Sequence, residues 1–207
     1  MSFKQGIWLW IALLAMIRPI YAADIVWGTP LQISGTNDVI NFLEPQEAWN
    51  LGGKTNLMIN GVSFKGNSEI ADNQEAFDGF TPVPTFPEIA KEYQLLLDTA
   101  LYQVTYITLK GLTPGKRYTI QIWSSDTRDF IIERKRITAL SAGSGKEVQL
   151  KESFDEAGGL GQFVLGVFKA DSTTQKIDII GLENGNVEEL SQVVNALVLY
   201  KGSLTGN

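Results

Sequence analysis

The chain has 207 residues, of which 44% are hydrophobic and 19% are charged, and this composition is typical of one sizeable globular domain. Its net charge is −6 and its basic residues are scattered, which disfavours nucleic-acid binding because phosphate contacts need clustered Lys and Arg. It has no histidine and no cysteine, which excludes Ser-His and Cys-His nucleophiles, His-ligated zinc, iron and copper sites, and disulfides.

Residues 1–22 have the organisation of a secretory signal peptide. Lys4 gives a positive start, an uncharged apolar run extends from Ile7 to Ile17, and a cleavage site follows Ala22. The alternative is a membrane anchor, but this run is shorter than the roughly 20 residues that a spanning helix needs. We therefore expect a secreted protein, periplasmic or extracellular, with no membrane insertion after cleavage and one domain over residues 23–207.

The first part of that domain contains short strand candidates separated by turn residues. Leu31 to Ile33 and Val39 to Phe42 are two candidates, with Ser, Gly, Thr and Asn between them. Asn60 and Gly61 lie between apolar residues, which is a strong signal for a two-residue β-hairpin turn. The same dipeptide is also compatible with a bend within one strand.

Residues 65–87 are rich in Asn, Gly and Pro, and we interpret them as a surface excursion. Asp72, Glu75 and Asp78 fall within it. A loop can direct several oxygens to one calcium ion, although the spacing does not match the EF-hand pattern. We expect no cofactor, and a structural calcium in this loop stays open beside the simpler interpretation of a solvated acidic loop.

One helix is predicted, from Pro87 to Ala100. Pro87 suits the first turn of a helix, where its missing N–H has no cost, and Thr85 is a candidate cap. Apolar residues then recur at helical spacing, at Ile89, Tyr93, Leu96, Leu97 and Ala100. This stripe predicts that the helix packs against the rest of the domain.

From residue 102 onward the chain alternates between strands and turns, and its most informative stretch is Gly111 to Arg128. Pro114 and Gly115 suit a tight turn. The following strand, predicted over 117–125, alternates Tyr118, Ile120 and Ile122 with polar residues. A Tyr just after such a turn is typical of the tyrosine corner of β-sandwiches.

Further strands are predicted over 104–110, 130–138, 147–151, 162–170, 176–182 and 193–201, which gives nine or ten strands in all. Residues 162–170 and 193–201 are apolar on both faces, as expected of central strands that are covered on each side. The Gly-Ser-Gly-Lys run at 143–146 lacks the flanking residues of a phosphate-binding loop and is interpreted as a turn.

Residues 55–66, 93–128 and 161–201 together resemble a β-sandwich domain found in secreted bacterial proteins, many of which carry a PEP-CTERM sorting tail. That domain is similar to the galactose-binding-like jelly rolls of carbohydrate-binding modules and malectin. The resemblance implies an all-β jelly-roll sandwich with one packed α-helix. The corner alone also resembles fibronectin type III, but that fold has no use for the predicted helix.

The most site-like segment begins at Trp123, where the strand leads into a loop. Trp123 shares the polar face of the strand with Gln121, which is compatible with an exposed ring. An exposed ring can stack on a sugar while Asp126, Arg128 and Asp129 bind its hydroxyls. The alternative is that Trp123 is a core residue and that Arg128 pairs with a neighbouring aspartate.

By analogy of fold, the leading interpretation is a non-catalytic module whose partner is an extracellular glycan or cell-surface polymer. A structural or adhesive protein of the cell surface or matrix, without a small-ligand site, is the second. A carboxylate-dependent glycan hydrolase is the third, and it would need two carboxyl groups across a cleft.

Overall fold

The structure is a computed structural model that describes residues 22–66, 75–78, 89–128, 135–153, 160–188 and 191–204, with only the backbone of 75–78. Within these ranges it contains sixteen strands, numbered β1 to β16 in chain order, one α-helix and one short 3-10 helix. In the part of the chain that the structure describes, no helix combines the length and the apolar character that crossing a membrane requires.

The largest sheet has eight strands, and the pairing of its strands is antiparallel except between β3 and β5. Its strands are β1 (Val26–Trp27), β2 (Leu31–Gln32), β3 (Pro45–Asn50), β4 (Leu57–Ile59), β5 (Val62–Gly66), β9 (Arg117–Ser124), β12 (Gln162–Lys169) and β16 (Ala196–Lys201). Its order is β1-β12-β9-β16-β3-β5-β4, with β2 also paired to β12. Strand β9 therefore lies near the middle, between β12 and β16.

A second sheet has five strands and a third has three. The second contains β8 (Tyr106–Leu109), β10 (Ile137–Ser141), β11 (Val148–Lys151), β13 (Gln175–Glu183) and β14 (Asn186–Val187). The third contains β6 (Glu75–Asp78), β7 (Thr99–Tyr102) and β15 (Val193–Val194).

One face of the large sheet packs against the second sheet. Ile120 and Ile122 of β9 and Leu199 of β16 belong to the same buried cluster as Leu140 and Ile177 of the second sheet. This cluster is the core of a β-sandwich. The predicted all-β, jelly-roll-type architecture is confirmed.

The other face of the large sheet is buried as well. Helix α1 (Lys91–Asp98) contributes Tyr93 and Leu97 to a second cluster, in which they contact the layer formed by Trp123, Val198 and Tyr200. Because both faces are covered, β9, β12 and β16 have almost no polar outer surface. This confirms the prediction that residues 162–170 and 193–201 supply central strands.

The predicted tyrosine corner is present. The backbone N–H of Thr113 donates a 2.8 Å hydrogen bond to the hydroxyl of Tyr118, whose ring stacks on Phe168 at 5.6 Å. Gly115 has a φ of +81°, which suits glycine at this turn. Asn60 and Gly61 also have positive φ values, 48° and 81°, so the predicted hairpin between β4 and β5 is confirmed as well.

Two local predictions differ from the structure. The helix begins at Lys91 and ends at Asp98, and the chain becomes extended at Thr99, whose hydroxyl donates to Asn50 Oδ1 at 2.7 Å. Pro87 and Thr85 lie outside the described residues. The strand predicted from Val39 to Phe42 is absent, because the backbone there bonds to side chains instead of to a neighbouring strand.

Gly161→Ala tests how closely the chain packs beside β9. A Cβ on Gly161 would overlap the carbonyl oxygen of Ser124 and lie 2.7 Å from that of Glu152, so we expect a loss of about 3 kcal/mol in unfolding free energy. Urea denaturation measures the loss. Gly35→Ala is the control, because nothing lies within 4 Å of its Cβ, and it should change stability by less than about 0.5 kcal/mol. Equal effects of the two substitutions would contradict the analysis.

Candidate functional site

Trp123 is fully buried, so the interpretation of its ring as exposed is wrong and the alternative, a core residue, is confirmed. Its ring lies 6.0 Å from the rings of Phe64 and Phe163, and its indole N–H donates to the hydroxyl of Tyr93 at 2.8 Å. The face that the sequence pattern identified as polar is covered by α1 and by residues 33–40. Trp123 therefore acts as a core residue and cannot stack on a ligand.

The polar groups beside Trp123 are satisfied within the protein. The hydroxyl of Tyr93 donates to Asp38 Oδ2 at 3.1 Å, and Ser34 also donates to Asp38. Burial, together with the negative charge of Asp38, raises the pKa of Tyr93 well above its ordinary value. Gln121, equally buried, donates to the carbonyl of Asp38 at 2.6 Å. These bonds join the helix and the 34–40 segment to β9.

Trp123→Ala should lower the free energy of unfolding by about 3–5 kcal/mol, because it removes the largest fully buried side chain from this layer. Denaturant titration of the purified protein measures the loss. Tyr93→Phe is the matched control, since it deletes only the hydroxyl that Trp123 contacts, and we expect it to cost about 1–3 kcal/mol. A Trp123→Ala protein as stable as the wild type would contradict the core assignment.

Asp126 and Arg128 do lie together, but they bind each other. Arg128 Nε lies 2.8 Å from Asp126 Oδ1, and Nη2 lies 2.5 Å from Oδ2. Asp126 is fully buried, whereas a quarter of the Arg128 side chain is exposed. Both carboxylate oxygens of Asp126 are thus engaged by arginine, which leaves this aspartate poorly suited to bind sugar hydroxyls. Asp129 lies outside the described residues.

Glu152 is a buried carboxyl group that the sequence analysis did not single out. Its Oε1 accepts a 2.9 Å hydrogen bond from Thr138, while Oε2 is buried and has no hydrogen-bond partner among the described residues. Burial, reinforced by the carboxylate of Asp126, raises the pKa of Glu152 to about 8. No local pattern marks this residue, because its environment is created by β10 and by the segment after β9. Neither Glu152 nor Asp126 is exposed to solvent.

The raised pKa of Glu152 makes stability depend on pH. Between its ordinary pKa of 4.5 and about 8, the folded protein keeps a proton that the unfolded chain has lost. The free energy of unfolding should therefore fall as pH rises through this window, by up to about 1.4 kcal/mol per pH unit. Urea denaturation at pH 5, 6, 7 and 8 measures the slope.

Glu152→Gln is the control for this pH dependence, because it retains the shape and cannot ionise. The free energy of unfolding of this variant should fall less steeply with pH than that of the wild type between pH 5 and pH 8. The chain has no histidine, so no imidazole adds to the slope. If the unfolding free energies of the two proteins changed equally with pH, the raised pKa of Glu152 would be contradicted.

The opposite end of β9 carries an open groove with a volume of about 960 Å³. Seven strand steps of about 3.3 Å separate the ends of β9, so this groove lies roughly 23 Å from the Asp126 end. Its walls are the turn of the tyrosine corner, the start of β9 and the end of β16. Ten residues line it: Gln46, Gly111, Thr113, Gly115, Lys116, Arg117, Tyr118, Lys201, Gly202 and Ser203.

The groove is basic. Its lining includes three cationic side chains, Lys116, Arg117 and Lys201, and none of the ten lining residues is acidic. Lys201 Nζ lies 3.3 Å from Glu44 Oε1, in a pair that is largely exposed on both sides. Lys169 of β12 lies directly opposite Arg117 in the register of the sheet.

Lys201 is far from the other two cations in the sequence, which is why the basic residues look scattered there. Lys116 and Arg117 are adjacent in the chain, but Lys201 belongs to its last strand. Pairing of β9 with β16 places Lys201 opposite Tyr118, so the end of β16 lies next to the start of β9 and all three cations line the groove. The only signal that could have found the cluster is the register of these two central strands, which a local pattern does not contain.

The remaining site candidates are partly outside the described residues. Asp72 is one of these, and Glu75 and Asp78 belong to strand β6, not to a loop. No group of three potential metal ligands occurs among the described residues, and the two alternatives of a solvated acidic loop and a structural calcium stay untested predictions. The interpretation of residues 143–146 as a turn is confirmed, and Asp24 accepts from the backbone N–H of Ser144 at 2.7 Å.

No family model and no curated protein sequence matches the chain. Solved structures with a similar fold include a β-glucuronidase of Bacteroides uniformis, at 11% identity and a TM-score of 0.55. They also include β-glucuronidase 2 of that organism bound covalently to cyclophellitol-6-carboxylate aziridine, at 12% identity and a TM-score of 0.53. A calcium-binding mutant of β-glucuronidase 2 is similar at 11% identity and a TM-score of 0.55. Each match covers 76% of this chain but only 18% of the enzyme. This similarity shows the fold alone.

Proposed function

We propose that the protein is a secreted, non-catalytic module that binds extracellular carbohydrate in the groove beside the tyrosine corner. The observation that carries this proposal is the groove itself. Its volume of about 960 Å³ falls within the usual range for ligand sites, roughly 300–1,000 Å³. Secretion is supported by the signal-peptide organisation of residues 1–22.

The lining chemistry supports a polar, hydroxyl-rich ligand. Gln46 and Thr113 bring an amide and a hydroxyl to the groove, in addition to its cationic side chains. Gln46 is held by a 3.2 Å hydrogen bond from its Nε2 to the carbonyl of Gly111. Because the walls belong to two central strands and a hydrogen-bonded corner, these groups are held by a rigid scaffold, which reduces the entropy lost on binding.

Analogy of fold also supports carbohydrate as the ligand class. The solved structures with a similar fold are parts of β-glucuronidases, enzymes named for the sugars on which they act. A shared fold is an associational argument, and it bears on the ligand class more than on the reaction. We favour binding over hydrolysis because none of the ten residues that line the groove is acidic, whereas a carboxylate-dependent hydrolase needs two carboxyl groups across its cleft.

Thr113→Trp tests the location of the site, because it adds bulk to the groove without changing its charge. We expect at least about a tenfold loss of affinity for the glycan that the wild-type protein selects on a glycan array. Asn186→Trp is the matched control, since this exposed residue of β14 lies at the other end of the sandwich. The control should bind like the wild type, and both variants should keep the wild-type melting temperature.

Equal binding by both variants would mean that the glycan does not use the groove. Failure of the wild-type protein to retain any glycan would overturn the proposed function. Co-sedimentation with cell envelopes in that case would instead support a structural or adhesive role. Release of reducing ends from a bound glycan would show hydrolysis and contradict the non-catalytic proposal.

A further inference from the structure

We propose that the groove selects acidic polysaccharides, whose repeated carboxylate or sulfate groups are bound by Lys116, Arg117 and Lys201. This inference rests on the proposed carbohydrate-binding function and specifies its substrate class. The chain as a whole carries a net charge of −6, yet the groove lining carries three cations and no acid. The local charge is therefore opposite in sign to that of the molecule, which focuses an anionic ligand on this site.

The strand beside Arg117 does not compensate its charge. Lys169 of β12 is directly opposite Arg117, and both side chains are exposed. Lys169 does not line the groove, but like charges in this position destabilise a sheet. An anion bound at Arg117 would relieve that repulsion.

The third cation is also accessible to a ligand. Lys201 is paired with Glu44, but their side chains are 55% and 74% exposed. Such an exposed pair contributes little stability, so a ligand carboxylate or sulfate can replace Glu44 at low cost. The buried Asp126–Arg128 pair differs in this respect, because Asp126 is fully buried and its arginine is committed to it.

The groups on the groove suit a charged sugar polymer. The guanidinium of Arg117 can bind a carboxylate with two parallel hydrogen bonds, and the two ammonium groups act as compact charges toward neighbouring sugars. Thr113 and Gln46 remain for sugar hydroxyls.

The groove is poorly suited to single-stranded nucleic acid, which needs aromatic platforms for its bases. Tyr118 is the only aromatic residue in the lining, and it is buried against Phe168. The observations therefore favour a polysaccharide over a nucleic acid as the anionic polymer.

The test is affinity electrophoresis of the purified protein with polygalacturonate, dextran sulfate, neutral dextran and single-stranded DNA, at 50 mM and 300 mM salt as rough low and high values. Lys116→Gln/Arg117→Gln removes two groove cations. Lys54→Gln/Lys91→Gln is the matched control, because it changes the net charge equally at exposed positions outside the groove.

We expect retention by an acidic polysaccharide that weakens with salt, a loss of about tenfold in the groove double variant, and wild-type affinity in the control. Polygalacturonate and dextran sulfate distinguish carboxylate from sulfate as the recognised group. Melting temperatures within about 2 °C of the wild type would show that both variants fold.

The inference is overturned if neither acidic polymer is retained, if both double variants lose affinity equally, or if DNA binds as tightly as the polysaccharides. Binding of a neutral glycan that is lost in Thr113→Trp but kept in the groove double variant would overturn this inference alone. The proposed carbohydrate-binding function would survive that result. Absence of binding to every glycan on the array would overturn both.

Discussion

The architecture depends on the burial of β9 on both of its faces. Ile120 and Ile122 pack into the sandwich core, while Gln121 and Trp123 face the helix and the 34–40 segment. From Tyr118 to Ser124 this strand leaves no side chain to water, so each polar group there needs a partner inside the protein. Gln121 bonds to the 34–40 segment and Trp123 bonds to Tyr93. The path of the chain over this face follows from those requirements.

The same constraint explains what the sequence could and could not predict. Period-2 alternation identified β9 as a strand, and the Pro-Gly turn followed by Tyr118 identified the corner, because both signals are local. Exposure of Trp123 was inferred from its polar neighbour Gln121, and this failed because a polar side chain can be buried when its hydrogen bonds are made. The burial of Glu152 and the grouping of Lys201 with Arg117 depend on contacts between distant segments, which no local pattern contains.

The two ends of β9 have contrasting electrostatics. At one end, Asp126 and Glu152 are fully buried and Arg128 is bound to Asp126, so their charges are compensated or suppressed inside the protein. At the other end, Arg117 and its neighbours are exposed and compensated only in part. Buried charged groups such as Asp126 affect the stability of the fold, whereas exposed cations that are only partly compensated can bind external ligands. This contrast is why the proposed glycan site lies at the corner end and not beside Trp123.

The pairing of β3 with β16 has a consequence for how the chain reaches its native state. Residues 45–50 find their antiparallel neighbour only in residues 196–201, and β9 also needs that last strand on one of its edges. Contacts of such long sequence separation slow folding, since a large loop must close before they form. A nascent chain that still lacks its last strand would expose the edges of β3 and β9, so the sheet can be completed only after synthesis has reached residue 201.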